Sequence, residues 1–204
     1  MRPAFDLMII SDGGPELVVR CARALAGAAP GRVALQLREP ARAVRERIAL
    51  GRALRALTRT HGSLLLINGD VDLARDLDAD GVHLPERGLD PREARAQLGT
   101  HALVGASRHD AEGLARAAAA GADYATLSPV HAVDGKAPPL GIAGFSAICR
   151  DARLPVYALG GVGVGDVAAL VEGGARGVAV IREVLAAPDP AAQTCALLGA
   201  LSPR

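Results

Sequence analysis

Short apolar runs alternate with longer amphipathic segments from one end of the chain to the other. Most of the short runs lack an alternation of apolar and polar residues, which is typical of parallel strands buried on both faces. The predicted strands cover residues 6–11, 33–37, 64–67, 81–84, 103–107, 124–127, 156–159 and 177–180.

Helical periodicity fills the intervals between these strands. Within residues 41–61 leucines recur at helical spacing on one side, and arginines recur on another side that can face water. A second apolar stripe follows Asp166 and ends at Gly173, because glycine is suited to close a helix.

Eight strands separated by helix-length segments predict an α/β fold, a single (β/α)8 TIM barrel. An open doubly wound sheet also alternates strands and helices, but its dinucleotide fingerprint is expected after the first strand. The sequence there is Asp12-Gly13-Gly14-Pro15, in which the proline interrupts that pattern. The length of 204 residues suits one small barrel, so we expect one domain over residues 1–204.

Composition narrows the class of function. The formal net charge is +1, and the chain has two Phe, two Tyr and no Trp. A nucleic-acid binder usually combines a basic surface with aromatic side chains for stacking, so we expect no nucleic-acid partner. The three cysteines are widely spaced and predict neither a disulfide framework nor a metal site. A signal peptide and an apolar run of about 20 residues are both absent from the sequence, so we expect a cytoplasmic protein without a membrane partner.

Lys136 is unusual among the cationic residues. The chain has 23 Lys and Arg residues, and Lys136 is the one lysine among them. An accident of base composition is one explanation. The other is that a compact ammonium group is needed in the irregular segment 128–141, as phosphate sites often require. Loops of this length in compact barrels are usually functional.

Polar residues at the ends of the predicted strands are candidate ligand-binding residues, because barrels carry their sites on the loops that follow the strands. Gln36 and Arg38 end the second strand and point to the same side of it. Asn68 follows the third strand, and Ser107 ends the fifth strand. Ser107 is placed either to bind a ligand or to cap a turn.

A glycine-rich turn follows the seventh strand. Gly160 and Gly161 let backbone N–H groups approach an anion closely, although a tight turn alone would also explain them. The eighth strand leads into Ile181 and Arg182, where a helix N-terminus is expected to face the same point. We therefore predict a phosphate site between these two loops.

Several segments, taken in chain order, carry the pattern of a known family. They are QLRE (36–39), LLIN (65–68), ADGVHL (79–84), VGAS (104–107), GADY (121–124), PV (129–130), Lys136, PVYALGG (155–161) and GVAVI (177–181). Together they resemble the thiamine phosphate synthases and their TenI-like relatives over nearly the whole chain. The stretches at 68–70 and 154–161 are most similar to the TenI-like domain found fused behind MutT-type hydrolases.

The resemblance implies a thiamine-biosynthesis barrel protein that binds a thiazole phosphate. The synthases transfer hydroxymethylpyrimidine from its diphosphate to the nitrogen of the thiazole phosphate. The matched positions are Arg38 and Lys136 for the diphosphate, Gln36 and Asn68 for the pyrimidine, Ser107 for another contact in the site, and Gly160, Gly161 and Ile181 for the thiazole phosphate.

The chain departs from the synthase pattern where the synthases bind Mg²⁺. The resemblance implies Mg²⁺ as a cofactor, but the two Mg²⁺-binding aspartates fall at Gly69 and Gly88. A serine on the phosphate side falls at Arg182. Mg²⁺ needs hard oxygen ligands, so we assign no metal-binding residue. The acidic residues nearest to the vacated positions are Asp70, Glu86 and Asp90.

Three functions therefore stay open. A synthase-type transferase is the best single assignment, with a non-catalytic binder of a thiamine-pathway phosphate as one alternative. The other alternative is a TenI-like thiazole tautomerase, which uses a histidine at the position of Pro129. His131 lies two residues further on, which in an extended chain is the same face, and an imidazole is suited to acid–base work.

The remaining expectations concern partners and the other histidines. The resemblance implies a small phosphorylated ligand as the partner and leaves a homo-oligomer open. We interpret His83 and His101 as structural residues and His61 and His109 as solvated ends of elements.

Overall fold

The computed structural model describes residues 5–201 and has the predicted architecture, a (β/α)8 TIM barrel. Eight parallel strands pair in chain order, and the last strand also pairs with the first, which closes the barrel. The strands are β1 (Leu7–Ile10), β2 (Val33–Leu37), β3 (Leu64–Asn68), β4 (Gly81–Leu84), β5 (Leu103–Arg108), β6 (Tyr124–Leu127), β7 (Val156–Leu159) and β8 (Gly177–Val180).

The helices of residues 5–201 alternate with the strands and cover the outside of the barrel. They are α1 (Leu17–Ala26), α2 (Val44–Thr60), α3 (Val71–Asp76), α4 (Pro91–Leu98), α5 (Ala111–Ala119), α6 (Gly141–Cys149), α7 (Val167–Glu172), α8 (Arg182–Leu185) and α9 (Pro190–Ala200), with a 3₁₀ turn at Val164–Asp166.

The strand prediction is confirmed almost residue for residue. The predicted bounds of β2, β4, β6, β7 and β8 are the observed ones, and those of β1, β3 and β5 differ by one residue at one or both ends. Every residue of β1, β2, β4, β6 and β8 is buried. A strand buried on both faces has an apolar run rather than an alternating pattern, which explains why these short runs were informative.

Aromatic side chains fill the interior of the barrel near the end where its strands begin. Phe5 stacks on Tyr157 with ring centroids 4.6 Å apart, and Tyr124 meets both rings edge-on. Room for the tyrosines comes from glycine, because a Cβ at Gly105 would lie 2.0 Å from Cζ of Tyr124. A Cβ at Gly177 would likewise lie 2.8 Å from Cε1 of Tyr157. The barrel is therefore a packed core below its C-terminal end.

Two aspartates, Asp123 and Asp80, hold the other end of the barrel, where the strands begin. Asp123 directly precedes β6, and its Oδ2 accepts hydrogen bonds from the backbone N–H of Val104 at 2.8 Å and from Arg95 at 2.5 Å. Asp80 precedes β4 and accepts from the N–H of Leu65 and from Arg55, both at 2.7 Å. These ion pairs lie at the end of the barrel opposite the one that carries function in such folds. We therefore interpret them as contacts that stabilise the barrel.

Within residues 5–201, no helix combines the length and the apolar character that crossing a membrane requires.

Replacing Asp123 by Ala should lower the free energy of unfolding by about 2 kcal/mol, because it leaves the buried N–H of Val104 without its acceptor. The matched control is Asp72→Ala, which removes an ion pair with Arg75 in which both side chains are more than half exposed. Such exposed pairs contribute about 0–1 kcal/mol. Urea unfolding curves of the two variants measure the difference. Equal destabilisation by both would contradict this account of Asp123.

Candidate functional site

A cavity of about 430 Å³ opens at the C-terminal end of the barrel. Every strand contributes a lining residue from one of its last two positions or from the residue that follows it. These residues are Ile10, Gln36, Asn68, His83, Ser107, Ser128, Leu159 and Ile181. Convergence of eight strand ends on one cavity makes this the candidate ligand site.

A second cavity of about 230 Å³ adjoins the first. Gly161, Val162, Arg182 and Glu183 line it, so it lies between the turn after β7 and the start of α8. The two cavities share part of their walls. The shared residues are Val133, Leu159, Gly160 and Ile181.

The structure brings nearly all of the residues predicted from the sequence to these two cavities. Gln36, Arg38, Asn68, Ser107 and Lys136 line the larger one. Gly161 and Arg182 line the smaller one, and Gly160 and Ile181 line both. Arg38 comes from the end of β2 and Lys136 from the loop after β6. Folding therefore places at one cavity two cations that lie far apart in the sequence.

His131 is the exception. It is not among the described residues that line either cavity, and its Nε2 lies 3.1 Å from Oδ1 of Asp166. Its backbone N–H donates to the carbonyl of Gly160 at 2.9 Å, so the chain has turned by this point instead of continuing as an extended strand. Pro129 lines the larger cavity and His131 lines neither, so a role for His131 in catalysis stays a prediction.

The turn after β7 has the backbone that its glycines predict. Gly160 and Gly161 have φ values of 101° and 67°, which side chains other than glycine rarely adopt. A Cβ at Gly161 would also lie 2.9 Å from Cβ of His131. The start of α8 lies on the other side of the smaller cavity. The N–H groups in the first turn of a helix have no acceptor within that helix. The arrangement therefore offers backbone donors to an anion from two sides.

His83 was interpreted from the sequence as structural, yet it lines the larger cavity. Its side chain lies between β5 and β6, with Nε2 3.0 Å from Oγ of Ser107 and Nδ1 3.1 Å from the hydroxyl of Tyr124. Burial lowers the pKa of His83 to about 3, and the charges of Arg108 and Arg38 act in the same direction. His83 is therefore a neutral imidazole in the wall of the site.

His109 is also misplaced by the sequence interpretation, which made it a solvated end. It is half-buried at the rim of the larger cavity, and its Nδ1 donates to the carbonyl of Ser128 at 2.6 Å. Its Nε2 lies 3.5 Å from Oε2 of Glu86. A position directly after β5 was the signal available in the sequence, since Ser107 two residues earlier was already a candidate.

The residues present do not fit a Mg²⁺ ion of the kind that the family resemblance implies. Among residues 5–201, no group of three or more His, Cys, Asp and Glu side chains is placed to hold a metal. Asp70 caps α3 and pairs with Arg47, and Asp90 caps α4. Glu86 is the one acidic residue among the described residues that line the larger cavity. One carboxylate is a poor donor set for a cation that favours several oxygens.

Pro85 opposes the return of acidic residues to the vacated positions. A Cβ at Gly69 would lie 3.2 Å from Cδ of Pro85, and Gly69 has a φ of 69°. A Cβ at Gly88 would lie 3.0 Å from the same atom. Both glycines therefore pack against one proline ring, which leaves little room for a larger side chain at either position.

Comparison with known proteins gives one consistent result. The family model described as thiamine monophosphate synthase matches residues 7–184. A thiamine-phosphate synthase of Myxococcus xanthus is 42% identical over 176 residues, covering 85% of this chain and 79% of its own length. That of Haloarcula marismortui is 40% identical over 173 residues, covering 82% of each chain. The solved structure of thiamine phosphate pyrophosphorylase from Pyrococcus furiosus superposes with a TM-score of 0.87 at 31% identity, covering 98% of this chain and 96% of that one.

The fold and the paired cavities define a barrel protein for small phosphorylated ligands. The chain belongs to the thiamine monophosphate synthase family. Its function is of the thiamine-phosphate synthase type, in thiamine biosynthesis.

The buried His83 predicts a loss of stability in acid. An imidazole in the unfolded chain titrates near 6.5, and the pKa of His83 in the folded protein is about 3. Between these values the unfolded chain binds one proton more than the folded protein. The free energy of unfolding should then fall by about 1.4 kcal/mol for each unit of acidification.

Urea unfolding at several pH values from about 6.5 to about 4.5 measures this slope. We expect His83→Gln to reduce the slope by one proton, whatever its effect on stability at neutral pH. The exposed His101→Gln is the matched control and should keep the slope of the unmodified protein. A slope that His83→Gln leaves unchanged would contradict a buried neutral His83.

Proposed function

We propose that this protein catalyses the transfer of hydroxymethylpyrimidine from its diphosphate to the nitrogen of a thiazole phosphate. The carbon–oxygen bond to the diphosphate breaks, and its electron pair leaves with the diphosphate. The lone pair of the thiazole nitrogen forms the new carbon–nitrogen bond, which gives thiamine phosphate. The observation that carries the proposal is the pair of adjoining cavities, one with amides and cations and one with a glycine turn.

The larger cavity suits the pyrimidine diphosphate. Gln36, Asn68 and Ser107 supply hydrogen-bonding groups for the heterocycle, and Gln36 is almost completely buried. Arg38 and Lys136 meet the diphosphate and stabilise the negative charge that grows on it as the bond breaks. Charge-assisted hydrogen bonds of this kind are about twice as strong as neutral ones.

The smaller cavity suits the phosphate of the thiazole. Gly160 and Gly161 allow backbone donors to approach it, and Ile181 and Arg182 lie at the opposite wall. Glu183 also lines this cavity, but Gln193 donates a hydrogen bond to its carboxylate at 2.6 Å. Because the two cavities share a wall, the thiazole nitrogen of the second ligand comes next to the methylene carbon of the first. Holding the two reactants in contact removes much of the entropic cost of a bimolecular step.

No step of this proposal runs through Mg²⁺, because the donor set does not fit it. The cations available to the diphosphate are those of the chain itself. Arg38 and Lys136 are exposed at the mouth of the cavity. We therefore expect turnover without added metal.

The tautomerase alternative depends on His131, and the position of His131 does not support it. An imidazole paired with Asp166 outside both cavities has no ligand to act upon. The binder alternative differs from the transferase only in turnover, so the assay below decides between them.

We also propose the finer properties that the sequence indicates. Residues 1–204 form one barrel domain, the protein acts in the cytoplasm, and a homo-oligomer is left open. The likeness of residues 68–70 and 154–161 supports a common origin with the TenI-like domain fused behind MutT-type hydrolases. If that is right, the fused domains should also carry glycine at the positions of Gly69 and Gly88 and proline at that of Pro85.

Replacing Lys136 by Ala should lower turnover by about tenfold to a hundredfold, because a charge-assisted contact to the diphosphate contributes about 1.5–3 kcal/mol. The matched control is Lys136→Arg, which keeps the charge and should retain most of the activity. The measurement is formation of thiamine phosphate from the two substrates, with added Mg²⁺ and with a chelator.

Four outcomes of this assay contradict the proposal. No thiamine phosphate under either condition rejects the transferase, and tight ligand binding without turnover leaves the binder. A thiazole tautomer that disappears in His131→Ala moves the assignment to the isomerase. Activity that requires Mg²⁺ would contradict the metal-free arrangement of the site.

Replacing Gly161 by Asp should abolish binding of thiazole phosphate, because it puts a carboxylate beside the anion. The backbone at Gly161 has a positive φ and lies against His131, so any side chain there causes strain. The matched control is therefore Gly161→Asn, which has the same shape and the same strain without the charge. Calorimetric titration with thiazole phosphate should show weaker binding for the Asp variant than for the Asn variant. Equal affinities would mean that the anion binds elsewhere.

A further inference from the structure

A chain of buried hydrogen bonds runs from the aromatic core of the barrel to the cavity. The hydroxyl of Tyr124 lies 3.1 Å from Nδ1 of His83, and Nε2 of His83 lies 3.0 Å from Oγ of Ser107. Tyr124 is completely buried and His83 nearly so, whereas Ser107 lies at the cavity wall. The direction in which each hydrogen points can be worked out from the partners available.

Tyr124 must donate its hydroxyl hydrogen to His83. In the part of the chain that the structure describes, Nδ1 of His83 is the hydrogen-bonding partner of this hydroxyl. If Nδ1 carried the hydrogen instead, the hydroxyl would be left as a buried donor without an acceptor, which is unfavourable. Burial also raises the pKa of Tyr124 well above its ordinary value, so the hydroxyl keeps its hydrogen.

The tautomer of His83 follows from this. A neutral imidazole has one N–H, and Nδ1 accepts from Tyr124, so the hydrogen is on Nε2. Nε2 then donates to Oγ of Ser107 at 3.0 Å, and the hydroxyl of Thr126 lies at 3.3 Å as a second, weaker acceptor.

The hydrogen of Ser107 is thereby directed away from His83. Thr126 is the other hydroxyl near Ser107, but the two oxygens are 3.4 Å apart, beyond the usual range of an O–H···O hydrogen bond. The better acceptor for Ser107 is a ligand atom in the cavity that it lines.

From this geometry we infer that Tyr124 and His83 are positioning residues that make Ser107 a hydrogen-bond donor of fixed direction in the larger cavity. The ligand atom that meets Ser107 must then be an acceptor, such as an unprotonated ring nitrogen, and a ring N–H at that point is rejected. The inference rests on the proposed function for its ligand, a pyrimidine, but the direction of the hydrogen bonds is a property of the protein alone. Selectivity of this kind is strong, because a mismatched ligand leaves a buried polar group unpaired.

Nitrogen-15 NMR of histidine-labelled protein tests the direction without any activity assay. His83 is assigned among the five histidines by its absence in His83→Gln. We expect the Nε2–H tautomer in the unmodified protein. Tyr124→Phe should shift the Nδ1 signal of His83 to that of a nitrogen without a hydrogen bond. Tyr157→Phe, which removes the other buried hydroxyl of the aromatic core, is the matched control and should leave the signal in place. An Nδ1–H tautomer, or a signal insensitive to Tyr124→Phe, overturns the inference.

Kinetics test the consequence for the ligand. His83→Leu removes the donor to Ser107 and should raise KM for the pyrimidine diphosphate about tenfold, as loss of one hydrogen bond predicts. KM for the thiazole phosphate should not change. His83→Gln places an amide N–H near the same point and should restore most of the affinity. If His83→Gln does not restore the affinity for the pyrimidine diphosphate, His83 has a merely structural role. Equal changes in both KM values would show the same.

A double-mutant cycle shows whether His83 acts through Ser107. Ser107→Ala should raise the same KM, and adding His83→Leu to it should cause little further loss, because the two residues form one unit. Additive effects would overturn the inference. If the chain makes no thiamine phosphate at all, the proposed function fails, and the NMR result still decides the direction of these hydrogen bonds.

Discussion

The packing of three aromatic rings inside the barrel is the constraint on which the rest of the structure depends. An eight-stranded barrel has an interior that side chains must fill, and this chain has few large ones. Phe5, Tyr124 and Tyr157 occupy its lower part in mutual contact. Gly105 and Gly177 leave the space that the two tyrosine rings need, since a Cβ at either would overlap a ring or the neighbouring backbone. The barrel interior is therefore filled although the chain has few aromatic residues, because three of its rings lie in that interior.

The same packing reaches one wall of the larger cavity through His83. Tyr124 belongs to the aromatic core by its ring, and its hydroxyl hydrogen-bonds His83, which lines the cavity. Side chains on strands keep their positions better than side chains on loops. Gln36, Asn68, His83 and Ser107 lie on β2 to β5, whereas Lys136 and the glycine turn come from loops. Under the proposed function, residues on strands recognise the heterocycle by fixed hydrogen bonds. Residues on loops neutralise the charge of the ligands.

Much of the fold and of the site could be predicted from the sequence. Strands buried on both faces give unbroken apolar runs, so their bounds were visible, and a barrel of known topology then places the strand ends together. Gln36, Arg38 and Ser107 were found by that reasoning. His83 was not, because it lies within an apolar run, and the run alone does not show which of its residues faces the barrel interior near the cavity. The direction of His131 depends on the local turn geometry after β6, which includes its hydrogen bond to Gly160 from another loop, and the sequence does not show that geometry.

Gly69, Gly88 and Pro85 pack together at the edge of the site. A carboxylate pair and a bound Mg²⁺ require side chains that converge with room for six oxygens. Here the two glycines pack against a proline ring, so the space is filled by carbon instead of ligands. Under the proposed function, the diphosphate binds here without a divalent cation. Its charge must then be balanced by side chains of the protein. Arg38 and Lys136 line the larger cavity and are placed to do so, and Arg182 lines the neighbouring cavity. Guanidinium and ammonium groups act without the geometric demands of a metal, but they require the diphosphate to be desolvated to interact strongly. The loop that carries Lys136 over the cavity therefore matters more in this protein than it would in a site that holds its own cation.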